Sequence, residues 1–392
     1  MLTSLALIIF LGLGLGKIFE KLNLPHLVGM LITGIVLGPS ALNLVSPDIL
    51  HIAPDLREMA LIIILLRAGL SLDLKDLCSI GRPALLMCFV PAAFEITAVT
   101  LVAPLVFGIS YLKAAVMGCV LAPVSAAVVV PYMLKLMGNG YGADKKIAQL
   151  IMAGTSVDDV FVIVLLTSLT EIYKGGQFNA ASFLKIPASI LLGAVFGIVS
   201  GFVLNFIFKK ISLQPTARLL IVLASAFLLL TFENSVSQVP MSSLLAVMVA
   251  GAIILKKSPE TAGRLSAGFT QMWAAAEIML FVLVGCAVQI EYVGRAGVGA
   301  LIVLLCGSLL RFCGVFLCLV KTHINFKERV FCAIAYIPKA TVQAAMGAIP
   351  LSMGMASGET TLTVAVLAIL ILAPTGAFLI DRFYPRLLNK EE

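Results

Sequence analysis

The chain has 392 residues, 61% of them hydrophobic and 12% charged, with a mean hydropathy of +1.11. That balance excludes an ordinary soluble globular protein, and the net charge of +7 does not imply a nucleic-acid partner, because its cations sort by loop. Charged and Pro/Gly-rich breaks divide the sequence into thirteen apolar segments long enough to span a bilayer.

In chain order the segments lie near residues 2–19, 25–42, 54–72, 83–108, 111–136, 145–172, 181–209, 216–233, 239–255, 264–290, 297–320, 327–350 and 360–382. Their composition predicts an all-α polytopic membrane protein, a single integral membrane unit over residues 1–392. The first segment has no basic residues before it and no A-x-A site, so it reads as a helix rather than a signal peptide. Nineteen Lys and Arg residues, among them Lys17, Lys75, Lys145, Lys257 and Arg386, gather on one side of this scheme. Only Arg57, Lys113, Lys174, Lys185 and Arg295 fall on the other. The positive-inside rule makes the first side cytoplasmic, with the N-terminus outside and the C-terminus inside. Arg67, Arg311 and Lys339 remain within spans.

The sequence also repeats weakly at an offset of 215 or 216 residues. Pro25 matches Pro240, Leu66–Asp73 matches Val282–Gln289, and Ala122-Pro123-Val124-Ser125-Ala126 matches Ile337-Pro338-Lys339-Ala340-Thr341. The offset moves each span seven places along, so the copies, 25–172 and 239–382, would cross the membrane in opposite senses. Inverted repeats of this kind place ion sites at the midplane, where interrupted helices meet. Pro123 and Pro131 should interrupt the span at 111–136, and Pro338 and Pro350 the span at 327–350, freeing carbonyls that can coordinate a cation.

The charges inside the spans carry the functional argument. Asp158 and Asp159 are adjacent in the apolar segment at 145–172. Each ionised carboxylate at bilayer depth costs roughly 2.5–3.5 kcal/mol, and like charge opposes ionising both. Such a pair can hold a proton or a small cation near neutral pH. Glu95 and Arg311 are mid-span and 216 residues apart, so an ion pair is the economical way to keep both in lipid. Lys339 follows Pro338 in an expected break, where it should reach an aspartate across the symmetry axis. Thr155, one turn before Asp159, and Ser125 in the other break are candidate oxygen ligands. Arg67 and Glu277 lie within or near spans, and a gating pair and interfacial anchors are both open for them. The eight cysteines show no C-x-x-C spacing and read as buried thiols, so no cofactor is expected. No P-loop is present, and adjacent aspartates on one helix do not suit an aspartyl protease.

Gly154-Thr155-Ser156-Val157-Asp158-Asp159, the Ala122–Pro131 break and Ile337-Pro338-Lys339-Ala340-Thr341-Val342-Gln343-Ala344 resemble the cation/proton antiporters, and within them the NHA-type sodium/proton antiporters. Leu66-Arg67-Ala68-Gly69-Leu70 fits the same pattern. The resemblance implies an NhaA-like fold with inverted repeats and two crossed broken helices. It implies exchange of Na⁺ or Li⁺ for protons by an elevator-like motion, in a homodimer embedded in membrane lipid, such as a bacterial inner membrane. Asp159 would be the main carrier of ion and proton, with Asp158 beside it, while Arg67 stays a possible gate residue on its place in the span alone. Arg311 stands where the electrogenic bacterial members have a lysine, which leaves the stoichiometry open. A K⁺/H⁺ exchanger or a sodium-coupled organic-solute symporter on the same architecture is the alternative.

Overall fold

The computed structural model describes residues 1–22, 24–71, 81–175, 180–211, 213–235 and 241–390. Pro240, Lys75 and Cys78, and the repeat positions Leu72 and Asp73, lie outside the described residues. The regular structure of the described residues is helical: α1 Leu2–Lys21, α2 His26–Leu37, α3 Pro47–Ser71, α4 Arg82–Met87, α5 Val90–Phe107, α6 Tyr111–Leu121, α7 Ala126–Gly138, α8 Ile147–Gly175 and α9 Ala180–Lys210. There follow α10 Pro215–Ser235, α11 Ser243–Lys257, α12 Pro259–Cys286, α13 Ile290–Cys318, α14 Phe326–Ala335, α15 Thr341–Met346, α16 Ile349–Ser352 and α17 Gly358–Leu387.

Among the described residues, seven helical stretches are long and apolar enough to cross a membrane: Leu2–Lys21, Arg82–Phe107, Leu191–Lys210, Pro215–Glu233, Pro259–Cys286, Gly297–Cys318 and Gly358–Leu387. Tyr111–Leu121 and Val128–Gly138 are apolar but short. At 1.5 Å per residue each covers about half of a ~30 Å hydrocarbon core, the length expected of an interrupted helix. Large apolar side chains such as Leu105 on α5, Phe206 on α9 and Leu305 on α13 are exposed, while Glu95, Asp158, Arg311 and Lys339 are buried. That inversion of the soluble pattern suits a chain whose solvent is lipid.

Two compact units emerge. The first comprises Met1–Arg57, Leu74–Val162 and Ile278–Glu392; the second comprises Glu58–Asp73 and Ile163–Glu277. Helices α3, α8 and α12 run through the division. In the second unit, Gly193, Gly197 and Gly201 of α9, spaced by four, lie against Ser242, Ala246 and Ala250, so two helix backbones approach closely. In the first, α13 packs along α5, and a Cβ at Gly314 would stand only 2.9 Å from Pro91 Cα.

Proline shapes the first unit in three ways. Pro91 is near the start of α5, and its missing N–H separates α5 from α4 and leaves the Met87 carbonyl free. Pro123 sits in a non-helical stretch, Ala122–Ser125, between α6 and α7, and Pro338 in the stretch between α14 and α15. Pro131 does not interrupt the helix as the sequence suggested: it lies inside α7, which runs through it to Gly138. The physical difference is the donor supply. A break persists in apolar surroundings only where other donors take the freed carbonyls, and they do so around Pro123. Pro350 opens the short α16, and the chain turns at Gly347 and Ala348 just before it.

The cytoplasmic ends expected for α8 and α14 are joined by one buried ion pair. Asn325 caps α14 by accepting from Glu328 N at 3.0 Å, and Glu328 accepts in return from Asn325 N at 2.7 Å. The same carboxylate takes Lys145 Nζ at 2.8 and 2.9 Å, two residues before α8 begins. Beneath this pair Ile147, Ile151, Met133, Phe331 and Tyr336 form a common core. This pair ties α8, which carries Asp158, to α14, which leads into the break that holds Lys339.

Candidate ion-binding site

Four ionisable side chains from four elements of the first unit meet around one carbonyl. Arg311 of α13 lies with Nε 2.9 Å from Glu95 Oε2 of α5, an ion pair rather than an aligned hydrogen bond. Its Nη2 donates to Asp158 Oδ2 of α8 at 3.1 Å, and its Nη1 donates to the Ala122 carbonyl at 2.6 Å. Lys339 donates to Glu95 Oε2 at 2.7 Å and to the same Ala122 carbonyl at 2.8 Å. All four side chains are buried.

The two helix breaks supply the rest of the frame. Pro123 and the residues beside it leave the last carbonyls of α6 without helical donors. Ala122 O takes the two cations, and Gln343 Nε2 donates to Leu121 O at 3.1 Å and to Pro123 O at 2.6 Å. Gln343 Oε1 accepts from Ala340 N at 2.8 Å, so one amide side chain fastens both breaks. Ser125 N donates to Pro338 O at 2.9 Å, joining them directly. Val124 N, freed by the same break, donates to Asp158 Oδ2 at 3.2 Å.

Behind Arg311 stands Tyr336, whose ring centroid is 5.6 Å from the guanidinium carbon. Its hydroxyl donates to the Met87 carbonyl that Pro91 released, at 3.4 Å. Gly154, one turn before Asp158, makes room for that hydroxyl: a Cβ there would overlap it.

Three buried oxygens in this region have no protein hydrogen-bond partner: Asp158 Oδ1, Asp159 Oδ1 and Ser125 Oγ. Burying acceptors this way is costly unless something else satisfies them. Thr155 is also buried, but its hydroxyl donates to Met152 O at 3.2 Å in its own helix. Asp159 as a residue is half-buried.

Of the residues singled out by sequence, the structure brings together Glu95, Asp158, Arg311 and Lys339, with Ser125 in the adjoining break. It corrects one pairing. Lys339 was expected to reach an aspartate; it instead holds Glu95 and Ala122 O, while Arg311 reaches Asp158. The reason is that Asp158 Oδ2 already has Arg311 and Val124 N–H, whereas Glu95 and Ala122 O offer the ammonium two acceptors within 2.8 Å. Arg67 and Glu277 belong to the second unit and are half-buried there. Sequence reasoning missed Gln343, Tyr336 and the Ala122 carbonyl. Gln343 left a trace, being an amide in an apolar run beside Lys339; a carbonyl's role leaves none beyond the proline that frees it.

Buried carboxylates with unpartnered oxygens thus lie beside two broken helices, the arrangement that the sequence leads one to expect of a cation site. Comparison with known proteins identifies the family. A family profile described as "Sodium/hydrogen exchanger, transmembrane" matches residues 5–381. The chain is 31% identical over 390 residues to human sodium/hydrogen exchanger 9B2, covering 97% of this chain and 73% of that protein. It is also 31% identical over 398 residues to human sodium/hydrogen exchanger 9B1, covering 96% and 76%. In fold it is similar to the sodium proton antiporter MjNhaP1 from Methanocaldococcus jannaschii, with a TM-score of 0.85 over 98% of both chains at 19% identity. The chain belongs to the sodium/hydrogen exchanger family. It is an integral membrane transporter of the NHA type and not an enzyme.

Proposed function

We propose that this protein exchanges Na⁺ or Li⁺ for protons at Asp158 and Asp159, with Ser125 and Thr155 as supplementary oxygen ligands. The observation that carries the reading is the trio of buried, unpartnered oxygens, Asp158 Oδ1, Asp159 Oδ1 and Ser125 Oγ, beside a network that already satisfies Glu95 and Lys339. Hard oxygens suit a hard monovalent cation, which must be repaid for its lost hydration shell.

Charge counting supports exclusive occupancy. Glu95, Asp158 and Asp159 contribute −3 when ionised, and Arg311 and Lys339 contribute +2, which leaves −1. In apolar surroundings a net charge is expensive, and one proton or one Na⁺ brings the sum to zero. Binding both would leave +1. The site therefore holds either ion and not the two together, which is the coupling that antiport requires. Either loaded form carries the same charge, so the exchange is one for one and electroneutral.

Access would alternate by an elevator-like movement, in a homodimer whose protomers each have thirteen spans with inverted repeats, the N-terminus outside and the C-terminus cytoplasmic. The exposed apolar face of α9, with Leu191, Val195, Phe202 and Phe206, suits lipid or a second copy.

Proteoliposomes loaded with a pH-sensitive dye test the reading. Na⁺ or Li⁺ should drive proton release in the wild type, at a rate unaffected by clamping the membrane potential, and K⁺ or organic anions should drive little. Asp159→Asn should abolish the signal while expression and oligomeric state stay normal, because size is kept and the titrating group lost. Wild-type release by Asp159→Asn protein would refute the site, and an accompanying current would refute the one-for-one count.

A further inference from the structure

Besides Arg311 and Lys339 the first unit buries a third cation, which makes no ion pair among the described residues and lines a cavity. Arg57 on α3 is only 7% exposed, and its Nη1 has no hydrogen-bond partner. It lines a cavity of about 360 Å³ bounded by the end of α2, the first half of α3, the end of α12 and α16. Leu50, Pro54, Leu283 and Leu351 give that cavity apolar walls, and none of the described residues that line it is acidic. Its other polar side chains are committed elsewhere: the Ser40 hydroxyl donates to Val288 O at 2.9 Å, Ser352 to Ile349 O at 2.9 Å, and Gln289 Nε2 to Glu359 Oε1 at 3.0 Å.

Taking a guanidinium donor out of water without a hydrogen-bond partner is unfavourable. Here the buried guanidinium side chain lines a space within the ~300–1,000 Å³ range of small-molecule sites. We propose that this cavity binds an organic monoanion, with an oxyanion head on Arg57 and a compact apolar body against Leu50, Pro54, Leu283 and Leu351. The planar guanidinium matches the two oxygens of a carboxylate or phosphate. Chloride would satisfy the charge but leave most of the volume and the apolar wall unused, since even a water claims only about 30 Å³. Because the cavity shares no residue with the Asp158 and Asp159 network, the proposal stands or falls independently of the exchange reading.

Equilibrium dialysis of radiolabelled benzoate against the purified full chain in neutral detergent tests it. Saturable binding is expected, displaced by unlabelled benzoate and not by the neutral benzamide. Arg57→Gln should weaken it by about tenfold or more, given the loss of a charge-assisted bidentate contact. Ala53→Phe, one turn before Arg57 and also lining the cavity, should abolish it by filling the space with the charge intact. Dihexanoyl phosphatidylglycerol competing better than benzoate would assign the oxyanion to a lipid headgroup, and the reverse order to a soluble carboxylate; both support the site. Absence of saturable binding to monodisperse wild-type protein would overturn it. So would undiminished binding in Ala53→Phe, the deciding variant should Arg57→Gln fail to fold.

Discussion

Arg311 is the residue on which the site's balance turns, because it touches Glu95, Asp158 and Ala122 O at once. Lys339 cannot replace it, having a single compact charge already divided between Glu95 and Ala122 O. Arg311→Ala would leave Asp158 Oδ2 with only the Val124 N–H and would open a space above the Tyr336 ring. Breaking a buried ion pair costs about 3–5 kcal/mol, so the variant should melt well below the wild type in detergent. Adding Glu95→Gln should recover part of that loss, since one unbalanced charge goes with it. A melting temperature unchanged in Arg311→Ala would mean that these groups do not depend on one another. At this scale the sequence was legible where chemistry is expensive: a charge in an apolar run is conspicuous, and Asp158, Glu95, Arg311 and Lys339 all announced themselves. Which cation meets which carboxylate was not legible, because that depends on carbonyls and N–H groups that every residue possesses.

Among the elements, the two breaks differ from an ordinary kink by what replaces the lost helical hydrogen bonds. Around Pro123 the freed groups find Arg311, Lys339, Gln343 and Pro338 O, whereas Pro131 stays within a continuous helix. Sequence alone gave both prolines the same weight, since the donors come from segments more than 150 residues away. The internal match between Ala122–Ala126 and Ile337–Thr341 was the better guide. It singled out Pro123 and Pro338, the two prolines whose neighbourhoods the structure joins. The separation of α4 from α5 at Pro91 was not anticipated, although it supplies the Met87 carbonyl that fixes Tyr336 behind Arg311.

For the whole molecule, the sorting of basic residues predicts sidedness. With Lys145 and Lys257 on the cytoplasmic side and Lys174 outside, single cysteines placed beside the first two should react with an impermeant maleimide only in inside-out vesicles. A cysteine beside Lys174 should react only in right-side-out cells. Equal accessibility at 145 and 174 would remove the thirteen-span arrangement, because α8 between them would no longer cross the membrane.

The central claim is that one carboxylate site takes either a proton or Na⁺. The measurement that tests it most directly is the Na⁺ dependence of proton release in proteoliposomes, taken at a series of pH values spanning the activity range. If the two ions compete, protons at low pH occupy the carboxylate that Na⁺ needs. Half-saturating Na⁺ should then rise as pH falls, approaching about tenfold per pH unit where the site is mostly protonated, while saturating Na⁺ restores occupancy. A half-saturating concentration that stays constant with pH, with only the maximal rate changing, would show that proton and cation bind separate sites and would contradict the account.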